Sequence, residues 1–142
     1  MKQNKLNRRR GSAVLDAALV FPILLSLTFG CVEYGHYFFV KHSLQGAARE
    51  GARAGANPGS TNAEVTTAVT LSMNAAGIVP ANYTTKIRNS ADTADIDVAA
   101  QTAGTAILVK VQCTWGTVGL RPLGLIGASK LAIGMTTMRK EG

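Results

Sequence analysis

The hydrophobic pattern of the chain changes period twice. Residues Ala17 to Val32 form a run of sixteen positions without a charge, and apolar character resumes as far as Val40, interrupted by Glu33, His36 and the tyrosines. A membrane-spanning helix needs about 20 residues to cross roughly 30 Å of hydrocarbon. Either Asp16 or Glu33 therefore lies near a boundary or is drawn inside. Pro22 sits within the run and removes a backbone hydrogen bond, which predicts a kink or a loosened turn. Beyond Val40, the stretch Lys41 to Ala56 continues as helix until Asn57-Pro58-Gly59 stops it. Unbroken from Ser12 to Ala56, this helix would reach roughly 68 Å at 1.5 Å per residue, with about half of it outside the bilayer.

After the stop, Thr61-Asn62-Ala63-Glu64 fits a capping box. Val65, Ala68, Val69, Ser72 and Ala76 follow at helical spacing before Gly77 and Pro80 close the segment. The period then shifts to two. Thr84 to Arg88 predicts one strand, and Ile107, Val109, Val111, Cys113 and Trp115 alternate with Lys110, Gln112 and Thr114 as a half-buried second one. Leu131, Ile133, Met135 and Thr137 predict a third, reached through the Gly- and Leu-rich segment Gly116 to Ala128. The fold class is α+β: a long N-terminal transmembrane helix continuing outward, a short second helix and a small antiparallel sheet of about three strands. The boundaries are a basic leader at 1–11, a transmembrane helix at 12–40, its extramembrane continuation at 41–57 and a small α+β domain at 58–142.

Charge sharpens this picture. Of the fifteen basic residues behind the formal net charge of +7, five (Lys2, Lys5, Arg8, Arg9, Arg10) lie in the first eleven positions. Without them the balance falls to +2, so the basic character belongs to a tip, which the positive-inside rule assigns to the cytoplasm. Tyr34, Tyr37, Phe38 and Phe39 at the other end resemble an interfacial aromatic belt. A nearly neutral remainder without aromatic residues interleaved among basic ones argues against nucleic acid. A cleaved secretory signal lacks its small-residue site near Phe29 to Glu33, and a lipoprotein signal ending at Cys31 lacks the usual Leu three residues earlier. A soluble core helix is the third competing reading.

Chemistry is sparse. No nucleophile, base and acid can be assigned, so no catalytic residue is named, and a tethered enzyme or a small-molecule substrate finds no support. No cofactor or metal is expected. Asp92, Asp95 and Asp97 lack the Gly and terminal Glu of a calcium loop, so Asn89 to Gly104 is predicted to be a solvated loop. His36 and His42 have no partner at metal spacing and are expected as an interfacial and an exposed helix residue. The two cysteines, Cys31 at membrane depth and Cys113 in a strand, are not expected to pair. Gly46, Ala47, Ala48, Gly51, Ala52, Ala54 and Gly55 allow close backbone approach, either by a neighbouring subunit or by the chain's own domain. Gly51 and Gly55 are the candidate helix-packing positions.

Read in order, Arg10-Gly11, an acidic residue, an apolar run with Pro22, Glu33-Tyr34-Gly35 and Ala47-Ala48-Arg49-Glu50-Gly51-Ala52-Arg53 resemble the TadE-like family of tight-adherence (Flp) pilus pseudopilins. The terminal Met138-Arg139-Lys140-Glu141 is similar more weakly. The resemblance implies that a prepilin peptidase removes the leader after Gly11, leaving Ser12 as the new N-terminus. Asp16 then takes the fifth mature position, where the family usually has Glu. It further implies other pilin-like subunits, the pilus assembly platform and the lipid bilayer as partners, and a bacterial inner-membrane location with the N-terminus cytoplasmic. Asp16 and Glu33 are the candidate subunit-assembly residues. A carboxylate near hydrocarbon is costly unless paired, and a released α-amino group at Ser12 would pair it. Alternatives are a non-polymerising single-pass anchor or binding module, and a type II secretion pseudopilin.

Overall fold

The computed structural model describes the backbone of residues 4–142 and the side chains of residues 13–142. Helix α1 runs Asn4–Ala56 and α2 runs Asn62–Ala75. A single 3-10 turn, Pro80–Asn82, leads into β1 (Thr84–Asn89), β2 (Ala106–Thr114), the one-turn α3 (Trp115–Val118) and β3 (Leu131–Arg139). The strands form one antiparallel sheet in the order β1-β2-β3. The molecule is thus α+β, with a long apolar N-terminal helix, a short second helix and three strands.

Helix α1 begins upstream of Ser12 and passes through Pro22 without a break. Lys5 to Arg10 contains no Gly or Pro, and Lys, Leu and Arg are good helix formers, so nothing in that stretch keeps the helix from starting upstream of Ser12. At its far end Ser60 Oγ donates to the Gly55 carbonyl at 2.8 Å, and the Glu141 amide donates to the Ala56 carbonyl at 2.7 Å. The C-terminal residues therefore cap the first helix, satisfying carbonyls that a helix end leaves unpaired. The α2 capping box forms as its sequence predicts: the Glu64 amide donates to Thr61 Oγ1 and the Thr61 amide donates to Glu64 Oε2 at 2.9 Å.

The core lies between the inner face of the sheet and the two helices. Val40, Leu44, Ala47, Ala48 and Ala52 of α1 meet Val65, Val69 and Met73 of α2 and Ile107, Val109, Val111 and Cys113 of β2. The alternation predicted for β2 is the one observed, but the strand ends at Thr114, and Trp115 opens α3. Its ring is fully buried, with Tyr37 edge-on at a 5.3 Å centroid distance. On β3 the buried parity is opposite to the large-residue alternation. Ala132 and Gly134 face inward while Leu131 and Met135 are exposed, because the α1 backbone at Leu44 and Gln45 lies directly against Gly134 and leaves no room for larger groups.

The Asn89–Gly104 segment is not merely solvated. Val98 is fully buried, anchored by its amide donating to Asn62 Oδ1 at 2.9 Å. Asp92 accepts from Arg88 Nη1 at 2.9 Å and from Lys110 Nζ at 2.7 Å, and Asp95 accepts from Arg88 Nε at 2.9 Å. Hydrogen bonds from Lys110 and Arg88 hold the Asp92 carboxyl below its ordinary value, and those that Arg88 makes to the Asp92 and Asp95 carboxylates raise its guanidinium. Asp92 also takes a positive φ of 55°, which Asp tolerates better than most residues.

Candidate functional site

The segment with functional character is the first two-thirds of α1 and what touches it. From Val14 to Phe29 its large side chains are exposed all round, among them Leu15, Leu19, Phe21, Ile23, Leu24 and Leu27. The most apolar stretch has none of its residues buried, which removes the soluble core-helix reading: among the described residues this surface has no partner. A long, apolar, unburied helix near the N-terminus suits a single-pass membrane protein. Ser26 and Thr28 direct their hydroxyls to the carbonyls of Pro22 and Leu24, both at 2.8 Å, so neither is left without a partner in an apolar setting.

The side chains of Lys2, Lys5, Arg8 to Arg10 and Ser12, and the surroundings of Gly11, lie outside the described residues; the backbone at Gly11 and Ser12 is part of α1. Asp16 is exposed and makes no ion pair with another described residue.

Glu33 is placed quite differently. Its side chain is wholly buried beneath a loop of its own chain. Oε1 accepts the Ile126 amide at 2.7 Å and Oε2 accepts the Leu123 amide at 3.3 Å. The link between α3 and β3 is therefore pinned to α1 by a carboxylate holding backbone N–H groups, and Arg121 Nε closes the loop on the Ile126 carbonyl at 3.3 Å. Sequence reasoning marked Glu33 as an interruption of the apolar run and had no signal for its partner.

His36 and Tyr37 also turn inward. His36 Nε2 stands 3.0 Å from the Val118 carbonyl and its ring lies 5.6 Å from Trp115, so both help seat α3 on α1 rather than standing free at an interface. Tyr34, Phe38 and Phe39 remain exposed, as an aromatic belt requires. His42 is an exposed helix residue, as expected.

The stretch from Ala47 to Arg53 divides cleanly. Ala47, Ala48, Gly51 and Ala52 are buried, while Arg49, Glu50 and Arg53 are exposed, with Arg53 pairing Glu50 at 2.8 Å. A Cβ on Gly51 would stand 2.6 Å from Val69 Cγ2, and one on Gly55 would stand 3.1 Å from Val65 Cγ2. Both glycines therefore serve the approach of α2 within the same chain. Gly35 and Gly46, by contrast, have no packed neighbour within 4 Å of a Cβ position.

Two further residues escaped the sequence reading. Gln45 bridges α1 to the outer edge of β3, its Nε2 donating to the Met135 carbonyl at 2.9 Å and its Oε1 accepting the Met135 amide at 3.3 Å. This occupies strand-edge groups that would otherwise be open to another chain. Lys140 is buried and donates to the Val98 carbonyl at 2.5 Å. Cys31 and Cys113 are both free thiols, and no cluster of three His, Cys, Asp or Glu fit to hold a metal occurs among the described residues.

The family model described as TadE-like protein matches residues 11–53, the span in which the apolar run, Glu33-Tyr34-Gly35 and the small-residue stretch all lie. No curated protein and no solved structure matches the chain. The matched family is structural and pilus-associated, and a TadE-like segment fits a subunit associated with a tight-adherence pilus. From Gly11 to Arg53, most of its long helix, the chain is similar to the TadE-like family.

Proposed function

We propose that the protein is a pseudopilin, a minor pilin-like subunit of a tight-adherence (Flp) pilus assembly and secretion apparatus, acting structurally in pilus biogenesis and adhesion. The observation that carries this reading is the coincidence of the TadE-like match with the unburied apolar helix. A subunit that assembles through its N-terminal helix needs an apolar rod free of its own fold and a compact domain at the rod's far end. The chain has both.

On this reading the protein sits in the bacterial inner membrane with the basic leader in the cytoplasm and the α+β domain outside. A prepilin peptidase cuts after Gly11, and the new amino group at Ser12 pairs with Asp16 of its own or a neighbouring helix. The helix then packs with other pilin-like subunits at the assembly platform. Glu33 contributes to assembly indirectly, by fixing the Leu123–Ile126 loop beside the rod. Gly51 and Gly55 hold α2 on the rod, which leaves the exposed face carrying Gly35 for neighbouring helices.

The test is the N-terminal residue of the membrane-extracted protein, read by mass spectrometry from cells with and without their prepilin peptidase. A start at Ser12 only when the peptidase is present establishes the processing. A start at Met1 in both makes the protein a permanent single-pass anchor that does not polymerise.

A further inference from the structure

We propose that the loop from Gly119 to Gly127 is a membrane-docking element, which sets Leu120, Leu123 and Leu125 into the boundary between lipid headgroups and acyl chains on the domain's side of the bilayer. The inference rests on α1 spanning the membrane and adds a second point of contact to it.

Height along the helix is the first argument. Twenty residues counted from Ala13 end at Val32, a rise of about 30 Å, which is the thickness of the hydrocarbon layer. The loop is held at that level. Glu33 accepts its Leu123 and Ile126 amides, and a Cβ on Gly30 would lie 3.5 Å from Leu125 Cδ1. The loop surface thus meets the span at Gly30, a level of the helix at which Leu27 and Phe29 are also exposed.

The second argument is the direction of the side chains. Ile126 is the loop residue that enters the core; Leu120, Leu123 and Leu125 are 56%, 42% and 55% exposed. Three such leucines within six residues form an apolar surface that the described residues leave largely uncovered, and such a surface marks an interaction site.

The third argument is electrostatic. Between Gly116 and Leu131 the chain has no acidic residue, and Arg121 and Lys130 are both exposed. The nearby carboxylate, Glu33, is sealed beneath the loop by the amides it accepts. Leucines flanked by cations and free of anions suit a surface of acyl chains topped by phosphates. Irregular backbone is not tolerated within the hydrocarbon itself unless its polar groups are satisfied. Glu33 satisfies two loop N–H groups, Arg121 satisfies the Ile126 carbonyl, and Pro122 has no N–H, so the loop is suited to the boundary where water still reaches its remaining groups.

The experiment uses the full chain with Cys31→Ser, reconstituted in vesicles of phosphatidylcholine and phosphatidylglycerol. Single cysteines from Leu123→Cys or Leu125→Cys carry an environment-sensitive fluorophore, with Leu19→Cys marking the span and Thr102→Cys the far end of the domain. All four positions are exposed, so the labels do not disturb the core, and Cys113 is buried with its thiol pushed up by desolvation. The expected result is that labels at 123 and 125 lose quenching by aqueous iodide and gain quenching by a lipid with a nitroxide near the headgroup end of its chain. Iodide access at 123 and 125 equal to that at 102, with 19 protected, overturns the docking and leaves the span. Iodide access at 19 as well removes the span and this inference together. Protection from both quenchers at 123 and 125 means that protein covers the loop, which also overturns it.

Discussion

Glu33 Oε1 lies 2.7 Å from the amide of Ile126, ninety-three residues further along the chain, and this bond closes the α3–β3 link onto the rod. A buried donor left without its acceptor loses its hydration without compensation. Glu33→Ala strands the amides of both Leu123 and Ile126, so their hydrogen exchange should speed by about tenfold or more while that of β2 is unchanged. Glu33→Gln keeps one oxygen to accept the Ile126 amide and should give an intermediate rate. Equal rates in all three proteins would show that the loop is held without Glu33, by the burial of Ile126.

The glycines of the long helix and of β3 should respond to alanine with opposite signs. Gly46 has open space at its Cβ position, so Gly46→Ala should stabilise by about 0.5–1 kcal/mol through helix propensity alone. Gly51→Ala drives a methyl against Val69, whose branched side chain cannot swing away, and should cost about 1–3 kcal/mol. Adding Val69→Ala should return part of that loss, a coupling that a double-mutant cycle measures. Gly134→Ala meets the α1 backbone at Leu44 and Gln45, where no rotamer change helps, and should fall at or beyond the upper end of that range. Chemical denaturation of the detergent-solubilised proteins gives all four values.

These positions also mark how far the sequence could be read. Patterns that refer to neighbours along the chain were legible: the apolar run, the Thr61 capping box and the alternation of Ile107 to Cys113 each appear where local spacing puts them. What failed depends on partners far away in sequence. Leu131, Ile133 and Met135 carry the period of a strand, but which parity faces inward is decided by the closeness of α1, and only Ala132 and Gly134 fit beneath it. Glu33 read as an interruption of the apolar run and a candidate assembly residue, with no sign of its two amide partners near residue 125. Asp92 looked solvated because Lys110, on the next strand, is brought to it only by the β1–β2 hairpin. For the candidate site, the family pattern was readable from residues 11–53, whereas the division between faces of α1 was not, since small residues suit either a neighbour or the chain's own domain.

The Asp92 cluster predicts a pH dependence of definite sign. Hydrogen bonds from Lys110 and Arg88 lower the folded-state value of Asp92 below the ordinary 3.8. Between the folded and unfolded values the unfolded chain binds more protons, so this contribution is fully present above the unfolded value. It fades as pH falls through the depressed one. Asp92→Asn should therefore lower the melting temperature at neutral pH and flatten its decline below about pH 4, near the ordinary carboxylate range. Parallel melting curves for both proteins across that range would dismiss the cluster as a stabilising element.

Asp16 separates folding from assembly. It lies on the exposed apolar part of α1, outside the core formed by Val40 onward, so Asp16→Ala should change domain stability by less than about 0.5 kcal/mol. Its function in the pseudopilin reading comes from charge at a fixed height: a carboxylate four residues after a freed amino terminus is neutralised by it, and an unpaired one at the edge of hydrocarbon is costly. Removing the carboxylate leaves a neighbouring subunit's amino group without its counter-charge, and Asp16→Ala should reduce co-purification with pilin-like partners and surface piliation while the protein still reaches the membrane. Asp16→Glu keeps the charge and restores the residue usual at that position, so it should preserve or raise both readouts. Wild-type piliation in Asp16→Ala would mean that the acid merely rests among headgroups and that the register between helices is set elsewhere, by the faces that carry Gly35 and the exposed aromatic residues beside it.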